Sequence, residues 1–159
     1  MSGQFYFTTL AGLALSVAGF AGLVTALRGG GRWSRNDLWR LRQIVRESLT
    51  LVVLSIMPLP IYYAVGGDEA LTIRVASGLL ALWLGRALVG TWRERGDWRD
   101  NRWIRQALLL VGVQFAAQAA NVALAWLPLL MLGLLALLAH PMQLFWRVIQ
   151  DFQPPVDEE

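Results

Sequence analysis

The segment FYFTTLAGLALSVAGFAGLVTALRGGGRWSRNDLWRLRQIVR, residues 5–46, decides the fold class of this chain. Residues 5–27 carry no charge, whereas residues 28–46 contain six arginines. A helix needs about 20 predominantly apolar residues to cross the hydrocarbon core of a bilayer. The abrupt change from an apolar run to an arginine-rich one therefore predicts a membrane-spanning helix that ends in a charged loop.

Long apolar stretches continue along the rest of the chain, and 56% of its 159 residues are apolar. A mean hydropathy of +0.47 places such a chain in the bilayer rather than in water. The last stretch, Ile104–Trp146, is too long for one span, because as a single helix it would extend over roughly 65 Å. The sequence therefore predicts an all-α polytopic transmembrane helical bundle of about five spans, at residues 5–27, 46–66, 70–92, 104–126 and 128–149.

The chain has to turn back within Ile104–Trp146, and two positions are candidates. One is Trp126-Leu127-Pro128, where proline suits the first turn of a new helix; the other is Gln118–Asn121. The first gives two spans of ordinary length, and we favour it. Proline at His140-Pro141 disturbs a helix interior, so residues 142–152 either continue the last span or form an amphipathic helix in the membrane interface.

The distribution of positive charge predicts an orientation in the membrane. Eleven of the 14 basic residues, all arginine, lie in two tryptophan-bearing segments, 28–46 and 93–105, which contain the predicted loops 28–45 and 93–103. Positive charge accumulates in cytoplasmic loops, so both loops are assigned to the cytoplasm, together with the acidic tail 153–159. The N-terminus and the acidic turn Gly66–Glu69 then lie outside. We expect a multi-pass protein of the plasma membrane, specifically a bacterial inner membrane.

Arginine and tryptophan at the ends of spans are typical of residues that hold a helix at the level of the lipid headgroups. Because these arginines flank apolar spans rather than a soluble face, we expect their partners to be membrane lipids with anionic headgroups and not nucleic acid. The predicted anchoring residues are Arg28, Arg32, Trp33, Arg35, Trp39, Arg93, Arg95, Trp98, Arg99 and Trp103.

Small residues recur on the first and third predicted spans at spacings that bring them to one side of a helix. Small side chains let another backbone approach closely, which is how helices associate in lipid. We therefore expect these helices to pack on protein, either within the chain or in a homo-oligomer or a complex with another membrane protein. The predicted helix-packing residues are Gly12, Ala14, Ser16, Ala18, Gly19, Gly22 and Ala26, followed by Ser77, Ala81 and Gly85.

Three amides form a stripe on the fourth predicted span: Gln114, Gln118 and Asn121. Amides in hydrocarbon need partners, so the stripe faces the bundle interior, another subunit or water. Interhelical hydrogen bonding is the structural interpretation, and a polar pore or substrate lining is the functional one. Arg86 lies within the third span, where it either extends to the headgroups or, at a subunit axis, affects ion selectivity.

The sequence gives little support to catalysis. There is no cysteine and a single histidine, His140, so no thiolate chemistry and no multi-histidine zinc site are expected in one chain. No nucleophile or phosphate-loop motif is present, and no cofactor or metal is expected.

The sequence predicts a non-enzymatic integral membrane protein, an assembling or accessory subunit. The alternative is a homo-oligomeric channel or small-solute pore lined by the three amides and Arg86, and a membrane enzyme acting on lipid ranks third.

Overall fold

The computed structural model describes residues 1–27, 35–93 and 102–150, and within these ranges the regular structure is entirely helical. The helices are α1 Gln4–Leu27, α2 Arg35–Ile56, α3 Pro58–Ala64, α4 Glu69–Arg93, α5 Arg102–Leu124 and α6 Leu127–Gln150. The predicted all-α helical bundle is confirmed.

Among the described residues, four stretches of helix are long and apolar enough to cross a bilayer: Gln4–Val24, Leu38–Ala64, Glu69–Gly90 and Leu127–Gln150. Their length and composition are compatible with an integral membrane protein. Helix α5 adds a further apolar segment, Leu108–Leu124. Arg102 and Arg105 lie at its beginning.

Helix α2 begins at Arg35, so residues 35–45, which the sequence assigned to a loop, are helical. The reason is an amphipathic pattern within the arginine-rich segment. Leu41, Ile44 and Leu51 are buried at intervals of three and seven residues, whereas Arg42 and Arg46 are exposed. A helix can therefore place apolar side chains inward and arginines outward. An amphipathic helix of this kind is not marked by a long uncharged run in the sequence.

The second predicted span, residues 46–66, is interrupted where α2 ends at Ile56 and α3 begins at Pro58. Proline has no backbone N–H and therefore suits the first turn of a new helix. Gly66 and Gly67 then turn the chain with φ angles of 70° and 86°, a region that favours glycine. The side chain of Asp68 accepts a hydrogen bond from the Leu71 N–H at 2.9 Å and caps α4.

The turn between α5 and α6 lies at Ala125 and Trp126, directly before Pro128 and not near Asn121. Ala125 has a positive φ of 53°, and its N–H donates to the Asn121 carbonyl at 2.8 Å. Helix α6 runs through Pro141 as far as Gln150. The segment from residue 142 to 150 is therefore the end of α6 and not a separate interfacial helix.

The chain divides into two compact units. Unit 1 contains Met1–Gln4 and Met57–Gly133, which include α3, α4, α5 and the start of α6. Unit 2 contains Phe5–Ile56 and the described part of Leu134–Glu159. An apolar cluster of Ala21, Leu41, Ile44 and Val148 lies in unit 2, so the end of α1, the start of α2 and the end of α6 pack together there.

Candidate functional site

The amide stripe of α5 faces the beginning of α6 in unit 1. The Gln114 Nε2 donates to the Gly133 carbonyl at 2.5 Å, and the Gln118 Nε2 donates to the Leu129 carbonyl at 2.8 Å. From Gln114 to Gln118 the donor advances by one turn along α5, while the acceptor shifts back by one turn along α6, from Gly133 to Leu129. This is the pattern expected for antiparallel helices. The two glutamines therefore bind the α6 backbone, and Gln118 is buried.

Asn121 completes the stripe and contacts two further elements. Its Nδ2 donates to the Ser77 Oγ of α4 at 2.9 Å, and its Oδ1 accepts from the Trp126 N–H at 2.9 Å, just before α6. Asn121 and Ser77 are both fully buried. One amide thus links α4, α5 and the turn into α6 with both of its polar atoms satisfied.

Gly133 permits this arrangement and was not identified from the sequence. A Cβ at this position would lie 2.2 Å from the Gln118 Nε2, far inside van der Waals contact. With the Gln118 side chain in this position, the α6 backbone lies closer to it than a residue with a Cβ would allow. The available signal was weak, because Gly133 is a single glycine in a leucine-rich helix.

The predicted small-residue ridge on α4 packs against α5. Ser77 and Ala81 are buried. A Cβ at Gly85 would lie 3.2 Å from the Phe115 ring, and one at Gly78 would lie 3.8 Å from Val122. In this part of the chain, small residues provide the close approach of two neighbouring helices within unit 1.

Arg86 is exposed and lies on the opposite side of α4 from Ser77. Nine residues separate the two positions, which corresponds to about two and a half helical turns. Because Ser77 faces the amide stripe through Asn121, Arg86 faces away from it. The structure does not bring the four predicted pore residues to one surface of unit 1.

The predicted small-residue ridge on α1 divides between two faces. Ala14 and Ala18 are buried, whereas Gly22 and Ala26 are exposed. A spacing of four exceeds the 3.6 residues of a helical turn, so a ridge built on it rotates by about 40° at each step. Gly12, Ser16 and Gly19 are also exposed. We call these five exposed small residues the outer α1 face: Gly12, Ser16, Gly19, Gly22 and Ala26.

A contact between Glu47 of α2 and His140 of α6 in unit 2 was not predicted. The His140 Nδ1 contacts the Glu47 Oε2, and Glu47 also accepts a hydrogen bond from the Gln43 Nε2 at 2.6 Å. The Glu47 side chain is 16% exposed and that of His140 is 55% exposed. Their positions differ by 93 residues, so no local spacing could indicate the pair.

The predicted anchoring residues are described only in part. Trp39 and Arg93 are exposed, in α2 and α4 respectively. Arg35 and Trp103 lie in α2 and α5. The others fall outside the described residues: Arg28, Arg32, Trp33, Arg95, Trp98 and Arg99.

Within the residues that the structure describes, no three histidine, aspartate or glutamate side chains lie close enough together to hold a metal ion. The contacts observed among these described residues are helix packing, interhelical hydrogen bonds and a carboxylate–imidazole contact. Comparison of the chain with protein-family models, with curated proteins and with solved structures finds no match.

Proposed function

We propose that this chain is a non-enzymatic integral membrane subunit that assembles through the outer α1 face, with a second copy of itself or with another membrane protein. The observation that carries the proposal is the contrast between the two small-residue ridges. The ridge on α4 is covered by α5, whereas the residues of the outer α1 face are exposed. A Cβ at Gly12, Gly19 or Gly22 would meet no atom within 4 Å.

The outer α1 face has the chemistry of a helix-docking surface. Leu15 and Leu23 lie on the same side of α1 and are also exposed, at 56% and 51%. The Ser16 hydroxyl donates to the Gly12 carbonyl at 2.9 Å, so it is not an unsatisfied donor facing lipid. Close backbone approach over small residues is a general basis of helix association in membranes.

The pore alternative has less support from the geometry. A pore lined by the amides would require Gln114, Gln118 and Asn121 to face water, yet each donates to an acceptor within unit 1. Arg86 is on the other side of α4. These contacts favour the amides as interhelical hydrogen-bonding groups and leave assembly as the better-supported role.

The orientation with the N-terminus outside belongs to the same proposal, in a plasma membrane such as a bacterial inner membrane. In unit 1 the Ser2 N–H donates to the Glu69 Oε1 at 2.6 Å, so the N-terminus lies beside the acidic turn that precedes α4. In unit 2 the end of α1, the start of α2 and the end of α6 pack together. Both observations agree with the alternation of spans that the arginine loops predict.

Cysteine crosslinking tests the assembly, because the chain has no cysteine of its own. Single-cysteine variants Ser16→Cys and Leu82→Cys are oxidised in native membranes, Leu82 being an exposed control on α4. We expect S16C to form a crosslinked dimer or a larger product with another protein, and L82C to form neither. Equal crosslinking of the two variants would contradict the proposal.

Bulky substitutions on the same face provide the second arm. Gly12→Leu with Gly19→Leu places two bulky side chains on the outer α1 face and should lower the crosslinked fraction of S16C about tenfold, since overpacking costs about 1–3 kcal/mol. The matched control is Gly90→Leu, at an exposed glycine of α4 with no atom within 4 Å of its Cβ position. It should leave the crosslinking of S16C unchanged.

A further inference from the structure

An exposed face of α2 combines aromatic, cationic and apolar side chains in a fixed order. Trp39, Arg42, Arg46, Leu49 and Val53 recur at intervals of three and four residues, and all are exposed. This spacing places them on one side of the helix. We call these five residues the outer α2 face.

The order of these residues along α2 matches the order of groups in a phospholipid. Arg42 and Arg46 are one turn apart, so their side chains start about 6 Å from each other and can bind one phosphate together. Leu49 and Val53, exposed at 46% and 58%, lie beyond the arginines on the same side. Val53 is about 10 Å from Arg46 along the helix axis. When Arg46 lies at the level of the headgroups, Val53 therefore lies within the hydrocarbon layer.

The charge of the outer α2 face is not compensated within the described part of the chain. Glu47 follows Arg46 directly, but its carboxylate is turned toward Gln43 and toward His140 of α6 and is only 16% exposed. Neither Arg42 nor Arg46 forms an ion pair with any residue that the structure describes. Two adjacent guanidinium groups on this face are therefore not neutralised by a described carboxylate.

We propose that the outer α2 face is a binding site for an anionic phospholipid. Arg42 and Arg46 hold the phosphate, the Trp39 ring lies beside the headgroup, and an acyl chain follows Leu49 and Val53. The contact between Glu47 and His140 supports the site by keeping the nearest carboxylate away from the phosphate. This proposal does not depend on assembly through the outer α1 face, because it uses a different helix.

Lipid titration of the purified protein, followed by native mass spectrometry, tests the site. The probes are phosphatidylglycerol as the anionic lipid and phosphatidylcholine as the zwitterionic one. We expect tighter binding of phosphatidylglycerol, and a loss of about thirty-fold in its affinity in the Arg42→Gln, Arg46→Gln double variant, because each arginine near a membrane contributes about fivefold. The matched control is Arg74→Gln with Arg86→Gln, which removes the same charge from exposed positions of α4.

The control should keep its phosphatidylglycerol affinity within about twofold, and equal losses in the two double variants would overturn the proposal.

A second arm of the experiment distinguishes binding of the lipid from binding of free phosphate. Leu49→Ser with Val53→Ser should weaken phosphatidylglycerol binding while both arginines are retained, and millimolar inorganic phosphate should not displace the lipid. Displacement by inorganic phosphate, or equal binding of the two lipids by the unmodified chain, would also overturn it. Circular dichroism of each variant verifies that the helices are intact.

Discussion

At the scale of single residues, Gly133 shows how closely the α5 and α6 backbones approach. The Gln114 amide donates to the carbonyl of Gly133 itself, and the Gln118 amide occupies the space that a Cβ at residue 133 would need. Gln118 is buried, and its Oε1 has no hydrogen-bond partner among the described residues. The Nε2 side of this amide is therefore closely packed, whereas its Oε1 lacks a hydrogen bond to any described residue.

The variant Gly133→Ala should destabilise the protein by about 1–3 kcal/mol, because the new methyl group overlaps the Gln118 Nε2. Gln118→Ala alone should cost less than about 1 kcal/mol, since it removes one hydrogen bond together with a buried unpaired oxygen. The double variant should be less destabilised than the sum of the two single effects, because Gln118→Ala leaves room for the new methyl group at residue 133. Unfolding free energies in detergent measure all three.

Gly112→Ala is the matched control for this prediction. Gly112 is also in a helix, but a Cβ there would meet no atom within 4 Å. Alanine has the higher helix propensity, so this variant should be neutral or stabilised by up to about 1 kcal/mol. Equal destabilisation by the two glycine substitutions would show that the contact with Gln118 is not the cause.

A second prediction at this scale concerns Glu47 and His140. A double-mutant cycle with Glu47→Gln and His140→Leu should give a coupling energy of about 1 kcal/mol, the value typical of exposed ion pairs. The larger cost of breaking a buried pair, about 3–5 kcal/mol, is not expected because the histidine side chain is 55% exposed. Strictly additive unfolding free energies would exclude an energetic contact between the two side chains.

At the scale of elements, α5 is held by polar contacts as well as by apolar packing. Its amides contact both neighbours in unit 1. An amide in hydrocarbon is stable only when it is hydrogen-bonded, so these contacts fix the position of α5 between α4 and the start of α6.

Asn121→Ala should therefore be more destabilising than Gln114→Ala. Loss of Asn121 leaves the buried Ser77 hydroxyl without its partner and the Trp126 N–H without its acceptor, at a cost of about 2 kcal/mol or more. Gln114 is only partly buried and makes one such bond, so its loss should cost about 0.6 kcal/mol. Thermal unfolding ranks the variants, and Ser77→Ala combined with Asn121→Ala should recover part of the loss. The opposite ranking would contradict the role assigned to Asn121.

At the scale of the whole molecule, the asymmetry of charge predicts which ends of the helices face the cytoplasm. Arginines lie at the start of α2 and α5 and at the end of α4, whereas the turn before α4 carries Asp68 and Glu69. Because arginine-bearing ends resist translocation, we expect them to lie on the cytoplasmic side.

Single cysteines at Ala70 and Gln150 test this orientation with a membrane-impermeant maleimide. Ala70→Cys, at the start of α4, should react in intact cells, whereas Gln150→Cys, at the end of α6, should react only after permeabilisation. Leu82→Cys, in the middle of α4, should react in neither condition because we expect lipid to surround it. Labelling of Gln150→Cys in intact cells would reverse the proposed topology.

The sequence by itself determined the helical class and much of the arrangement along the chain, because bilayer thickness sets the length of an apolar helix and proline sets where a new helix can begin. Pro128 indicated the turn before α6, and the spacing of Gln114, Gln118 and Asn121 placed them on one face. It did not indicate that α2 starts at Arg35, since the arginines concealed the apolar face of an amphipathic helix.

Only the tertiary structure decided which atoms those faces meet. The acceptors of the amides depend on the register between α5 and α6, the closeness of Gly133 depends on the distance between two backbones, and the contact of Glu47 with His140 joins positions 93 residues apart. The same holds for α1, where small residues occur on both sides and only packing distinguishes the buried Ala14 from the exposed Gly12. Local spacing specifies the face of a helix on which a residue lies, whereas the neighbour of that face is specified by packing between segments distant in sequence.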